Sequence, residues 1–188
     1  MKLNKNKGEI ASRNQSGLTA VEMMIALATL AVVILISVPG ASMLIEHYRL
    51  KSASSDLVSG LYLARAEAIN RASTVRVCPS DDGRSCRTDG AWSRGWLVYS
   101  DGNGDGTVQD IELLEAFQAP DSHVHIVALG AAQKSAAFTP TGLVRDNDAA
   151  KGEFVLCHGE NSSSNAILID SDGWVSLIPT DGQACRTG

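Results

Sequence analysis

Gly17-Leu18-Thr19-Ala20-Val21-Glu22 opens an apolar run that continues to Val38 and stops at Pro39. Lys2, Lys5, Lys7 and Arg13 precede it, against a single acid, Glu9. The 21 residues from Leu18 to Val38, at 1.5 Å each, span roughly 30 Å as a helix, about the thickness of one hydrocarbon core. The basic leader places the amino terminus in the cytoplasm and everything beyond Pro39 outside. Within the run the single charge is Glu22. A carboxylate in a membrane helix costs on the order of 2.5–3.5 kcal/mol on insertion scales, and such a residue is usually kept because it has a partner. An ordinary secretory signal carries its cut site after the apolar core. Here the small residues and the glycine come before it, so the core stays on the mature chain.

Glycine, an apolar residue, Thr19 and, after two more positions, Glu22 resemble the processing signature of type IV prepilins and type II secretion pseudopilins. The resemblance implies that a membrane-bound prepilin peptidase cuts after Gly17 and methylates the new amino terminus at Leu18. The family's usual first mature residue is Phe; Leu18 departs from that pattern but keeps a bulky apolar group. A proline 21 residues after the first mature one is the family's second mark, and Pro39 stands there. The resemblance further implies that Glu22 neutralises the Leu18 amine of a neighbouring subunit. The apolar segment then serves first as inner-membrane anchor and later as filament core, with Glu22 and Pro39 as assembly residues.

Removing residues 1–17 takes away four of the 16 basic residues and one of the 21 acids, leaving 12 and 20, a formal charge of −8. Nonspecific nucleic-acid affinity comes mostly from neutralised phosphates, so an acidic chain is not expected to be a general polyanion binder. Four cysteines, Cys78, Cys86, Cys157 and Cys185, all lie beyond the apolar run. An even number in an extracytoplasmic domain suggests two disulfides, with three pairings open. Cys78–Cys86 and Cys157–Cys185 are favoured because each joins nearer neighbours. Neither spacing is Cys-x-x-Cys, which argues against redox or zinc chemistry.

Leu50, Ser54, Leu57, Leu61, Ala64 and Ala68 recur at three- and four-residue steps. This predicts a long helix from Leu18 to about Arg71, kinked or loosened near Pro39 and Gly40, apolar all round in its first half and amphipathic in its second. The rest reads as strands at Thr74–Cys78, Gly95–Ser100, Ile111–Phe117, His123–Leu129, Glu153–Cys157, Ala166–Asp170 and Trp174–Ile178, with Ser171-Asp172-Gly173 as a hairpin connection. The expected organisation is a leader over 1–17, a transmembrane and filament-core helix over 18–39, an amphipathic continuation over 40–72 and a β-rich periplasmic domain over 73–188. Arg65-Ala66-Glu67-Ala68-Ile69, then Val75–Cys78-Pro79, then Trp92, Gly95-Trp96 and an Asp/Gly/Asn loop resemble the GspH/FimT family of minor pilins and pseudopilins. That resemblance implies an α+β pilin-like fold, a long N-terminal helix packed on a C-terminal antiparallel β domain.

Three further features bear on chemistry. Asp101, Asn103, Asp105, Thr107 and Glu112, with Gly106 between, fit the spacing of a twelve-position calcium loop, whose expected affinity is about 10⁻⁴–10⁻³ M. The alternative is a solvated turn whose residues suit positive φ, and the segment entering it looks like strand. Some members of the resembled family carry a Gly-Arg-x-Arg element associated with DNA binding. The corresponding place here reads Gly173-Trp174-Val175-Ser176, with both arginines absent and only Arg186 nearby. Arg76, Arg84, Arg87 and Arg94, interleaved with Trp92 and Trp96, form the strongest basic set; DNA is a conceivable but not favoured partner. His123 and His125 alternate along a strand without a third ligand. No Gly-x-Ser-x-Gly, His-Glu-x-x-His or phosphate-binding glycine loop is present, so no enzyme and no required cofactor is expected. The expected function is that of a type IV minor pilin that primes or caps filament assembly with other pilins, or alternatively a type II secretion minor pseudopilin or a tip receptor for DNA or a surface.

Overall fold

The computed structural model describes residues 19–144, 151–159, 164–180 and Cys185, the side chains of residues 35–43 and 131 excepted. The chain divides into two compact units, Met1–Ser42 and Met43–Gly188. Helix α1 is assigned over Ala20–Arg71. In the first unit every described side chain from Thr19 to Ile34 is exposed. The loosening expected near Pro39 and Gly40 falls on positions whose side chains lie outside the described residues. Among the described residues no helix is long and apolar enough to cross a membrane; the described side chains of the apolar run end at Ile34.

In the second unit the helical stripe read from the sequence faces inward. Leu50, Ala53, Ser54, Leu57, Leu61, Ala64 and Ala68 are all buried. Ser54 is tolerated there because its hydroxyl donates to the Leu50 carbonyl (2.8 Å) and accepts from the Asn165 amide (3.0 Å). Buried polar groups need such partners. The helix ends in a Schellman motif: Ser73 N–H bonds the Ala68 carbonyl and Ala72 N–H that of Ile69, with Ala72 at φ +49°.

Among the described residues eight strands follow in chain order: β1 Thr74–Pro79, β2 Gly95–Asp101, β3 Leu113–Gln118, β4 Val124–Gly130, β5 Ala136–Phe138, β6 Gly152–His158, β7 Ser164–Ile169 and β8 Val175–Thr180. They form two four-stranded sheets, ordered β3-β2-β1-β5 and β4-β6-β7-β8, and every strand pair is antiparallel. Seven of the strands lie where the sequence predicts them. The exception is β5, whose Ala136-Ala137-Phe138 has little β-propensity of its own and is held by pairing with Val75, Arg76 and Val77. Helix α1 shares one core with both sheets: Leu57 and Leu61 join Val77, Trp96 and Val98 from the first sheet and Ile126, Phe154, Leu156 and Ile167 from the second.

A smaller core covers the outer face of the first sheet, where Cys78, Leu97 and Tyr99 are buried beneath Cys86, Val108 and Leu113. The Cys78–Cys86 disulfide pins the intervening loop over it. At Gly60 the helix comes close to the sheet: a Cβ there would stand 3.1 Å from Trp96 Nε1 and 3.2 Å from the Phe117 ring.

Candidate functional site

Helix α1 begins with a reciprocal pair. Thr19 donates both its backbone N–H (2.8 Å) and its hydroxyl (3.1 Å) to Glu22 Oε2, while Glu22 N–H donates to the Thr19 hydroxyl oxygen (3.3 Å). This is a capping box, which satisfies N–H groups the helix leaves orphaned and sets an acid at the positive end of its dipole. The same carboxylate that the sequence marks as anomalous in an apolar run thus has a local partner, and one of its oxygens takes both bonds. Around and beyond it Val21, Met24, Ile25, Leu27, Leu30 and Ile34 are each more than half exposed. Gly17 and Leu18, the expected processing residues, and the side chain of Pro39 lie outside the described residues.

The five expected calcium donors lie in one loop, where the carboxylates are engaged by hydrogen bonds. Asp101 ends β2, and its side chain is 1% exposed. Its Oδ2 accepts from Arg76 Nε at 2.6 Å and its Oδ1 from Gly106 N–H at 3.3 Å. Asp105 accepts from the Thr107 hydroxyl (2.7 Å) and N–H (2.8 Å) and from Asn103 and Gln109. The Thr107 bonds lead in holding its carboxyl below the ordinary range. Glu112 accepts from Gln109 N–H. Among the described residues no group of three or more His, Cys, Asp or Glu side chains is gathered as a metal ion requires.

The basic set is dispersed in the same way. Arg76 is committed to Asp101, and Arg87 pairs with Asp81 and with Asp89 (2.5 Å to the latter). Arg84 and Arg94 are exposed; Arg186 lies outside the described residues. Trp92 and Trp96 are buried at 0% and 1% exposure, Trp92 edge-on to Phe154 and Trp96 stacked on Phe117. They are core, and no base can stack on them. His123 stacks on His158 at 5.8 Å and hydrogen-bonds Asp121 at 2.9 Å, while His125 stays exposed on β4.

Cys78 pairs with Cys86 and Cys157 with Cys185, each with its nearer neighbour. The second bridge consumes the thiol beside His158.

Sequence reasoning missed a clamp centred on Arg65. Its Nε donates to the Gly142 carbonyl (3.1 Å) and an Nη to the Asp172 carbonyl (3.4 Å), and the guanidinium lies 5.6 Å from the centroid of Trp174. Tyr62 adds a bond from its hydroxyl to the Val175 carbonyl (3.0 Å). Helix α1 thereby holds the β7–β8 hairpin and the 139–144 loop. The signal available was a charged residue directly beside the buried stripe position Ala64.

The family model described as type II transport protein GspH matches residues 53–173. No curated protein matches the chain at a significant level. Among solved structures the type IV minor pilin FimU of Pseudomonas aeruginosa PAO1 superposes with a TM-score of 0.54 at 18% identity, over 74% of this chain and 97% of that one. The minor pseudopilin EpsH of the Vibrio cholerae type 2 secretion system gives 0.51 at 12% identity, over 70% and 97%. At these identities the likeness is one of fold.

Proposed function

Since the chain belongs to the GspH family of type II transport proteins, we propose that it is a minor subunit of a pilus-type filament, entering it through its N-terminal helix and Glu22. The observation that carries this reading is the exposed apolar surface of α1 from Val21 to Ile34, headed by a carboxylate. Contiguous apolar area of that extent calls for a covering phase. The inner membrane covers it before assembly, with the amino terminus cytoplasmic and the domain periplasmic, and neighbouring helices cover it afterwards. Prepilin peptidase cleaves after Gly17, and the Leu18 amine is methylated. In the filament Glu22 turns from its own capping box to the Leu18 amine of a neighbour, an opposite charge that favours the ionised carboxylate where a lone charge is penalised.

We place the chain in a type IV pilus, where it primes or caps assembly. Type II secretion is the alternative, favoured by the description of the family it belongs to. A strain lacking the gene separates them: fewer sheared surface pili with normal secretion supports the pilus, and normal pili with exoproteins held in the periplasm supports the secretion machine. DNA binding is not favoured, because two of the four basic-set arginines in the described residues are ion-paired and the tryptophans are core. Calcium at the 101–112 loop is separable from the rest. It requires Asp101 to exchange Arg76 for the ion, so millimolar calcium should raise the unfolding temperature, and more so in Arg76→Gln. If neither calcium nor chelator moves either protein, the loop is a turn only.

A further inference from the structure

We propose that the groove between the disulfide-closed 80–86 loop and β3 receives an extended, carboxylate-bearing segment of a neighbouring filament subunit, an inference that rests on the filament reading above. The groove encloses about 490 Å³, and Arg84, Arg94, Leu113, Ala116, Phe117 and Gln118 are among its walls.

Three observations define what fits. First, β3 ends its sheet, and among the described residues its outer edge pairs with no strand. An open edge takes an extended segment through main-chain hydrogen bonds, and alternate side chains of that segment then fall on one face. Second, Leu113 and Ala116 offer an apolar floor on the outer face that neither fully buries, while the Phe117 ring turns to the helix side and stacks on Trp96. Third, the charges of the groove are unevenly engaged. Asp81 is bound by Arg87. Asp82 is turned into its own loop, accepting from Ser80, from the backbone of Arg84 and Ser85 and from the Ser85 hydroxyl. Arg84 and Arg94 are exposed and make no ion pair among the described residues. Free guanidiniums with forked donors match carboxylates.

The wall is already built. The Cys78–Cys86 bridge and the Asp82 turn hold the loop, with Gly83 lying over Ala116, so little ordering is left for binding to drive. Glu115, exposed on β3, repels a second acid set directly opposite it. The carboxylates of the occupant therefore belong beside Arg84 and Arg94. The chain shows this chemistry itself at Asp110-Ile111-Glu112, where Ile111 is 88% exposed, so a second copy is the alternative to separate.

The test uses the full chain in cells assembling filaments, with the photo-crosslinker p-benzoylphenylalanine in place of Gln118. The expected result is a cross-link, within sheared filaments, to one acidic segment of a different subunit. Arg84→Glu combined with Arg94→Glu should lower its yield about tenfold while the chain still enters filaments. Reversing the mapped acid to lysine should restore it. A cross-link to nucleic acid, to a segment without acids or to Asp110–Glu112 of a second copy overturns the proposal. So does a cross-link indifferent to charge reversal, or none in filaments that contain the chain. Absence of the chain from filaments overturns the filament reading itself, and this proposal with it.

Discussion

Asp82 and Asp89 show how single residues couple the domain to pH. The backbone N–H of Arg84 and the Ser85 hydroxyl and N–H hold the Asp82 carboxyl well below the ordinary range. The Asp89 carboxyl falls from 3.8 to about 2, chiefly through its bond to Arg87. A depressed carboxyl stabilises the fold above its unfolded pKa, and that contribution is lost as pH falls through its folded value. Stability should therefore decline from about pH 4 toward pH 2, and Asp89→Asn should flatten part of that slope. Urea midpoints at pH 5, 4 and 3 check this; equal midpoints for the parent protein refute it. Gly173, at φ +78°, is a second residue-scale constraint, because a Cβ there would stand 2.0 Å from the Gly142 carbonyl oxygen. Gly173→Ala should destabilise by on the order of 1–3 kcal/mol, read by thermal unfolding. The two sides of this contact differ in legibility. Ser171-Asp172-Gly173 reads as a turn from composition alone, whereas the closeness of Gly142 depends on a contact across 31 positions of sequence.

Helix α1 was legible at the scale of the element because its buried stripe has the helical period, and that stripe is what the sheets cover. Leu57→Ala or Leu61→Ala should cost about 2–5 kcal/mol, since each side chain is wholly buried and leaves a cavity. The helix end was less legible. Ala72 occupies a left-handed position that glycine ordinarily takes, so Ala72→Gly should stabilise by roughly 0.5–1 kcal/mol. Both effects are measurable by denaturant unfolding of the same protein. Strands with β-branched runs, such as Thr74–Cys78, announced themselves; Ala136–Phe138 did not, because β1 supplies its pairing rather than its own side chains. The first position of the 101–112 loop has a neighbour that its spacing does not reveal, for a related reason. Asp101 continues β2 and lies diagonally across from Arg76 on β1, a cross-strand neighbour that a linear motif cannot register. The arginine–tryptophan set likewise looked like one surface in sequence, yet its tryptophans point inward while its arginines face solvent or aspartates.

For the whole molecule, the proposed function has the apolar helix and its carboxylate carry the chain into a filament while the β domain supplies contacts at its surface. Glu22 has two duties in this account, capping its own helix and pairing with a neighbour's amine, and they can be pulled apart. Glu22→Gln keeps a carbonyl oxygen for the Thr19 bonds and removes the charge. The most direct measurement is the amount of this chain in sheared filaments relative to the inner membrane, for the parent protein and for Glu22→Gln. The parent should be found in both fractions, and Glu22→Gln should reach the membrane at parental level but be depleted from filaments. Glu22→Gln entering filaments as the parent does would contradict the filament reading, as would a parent protein never found there.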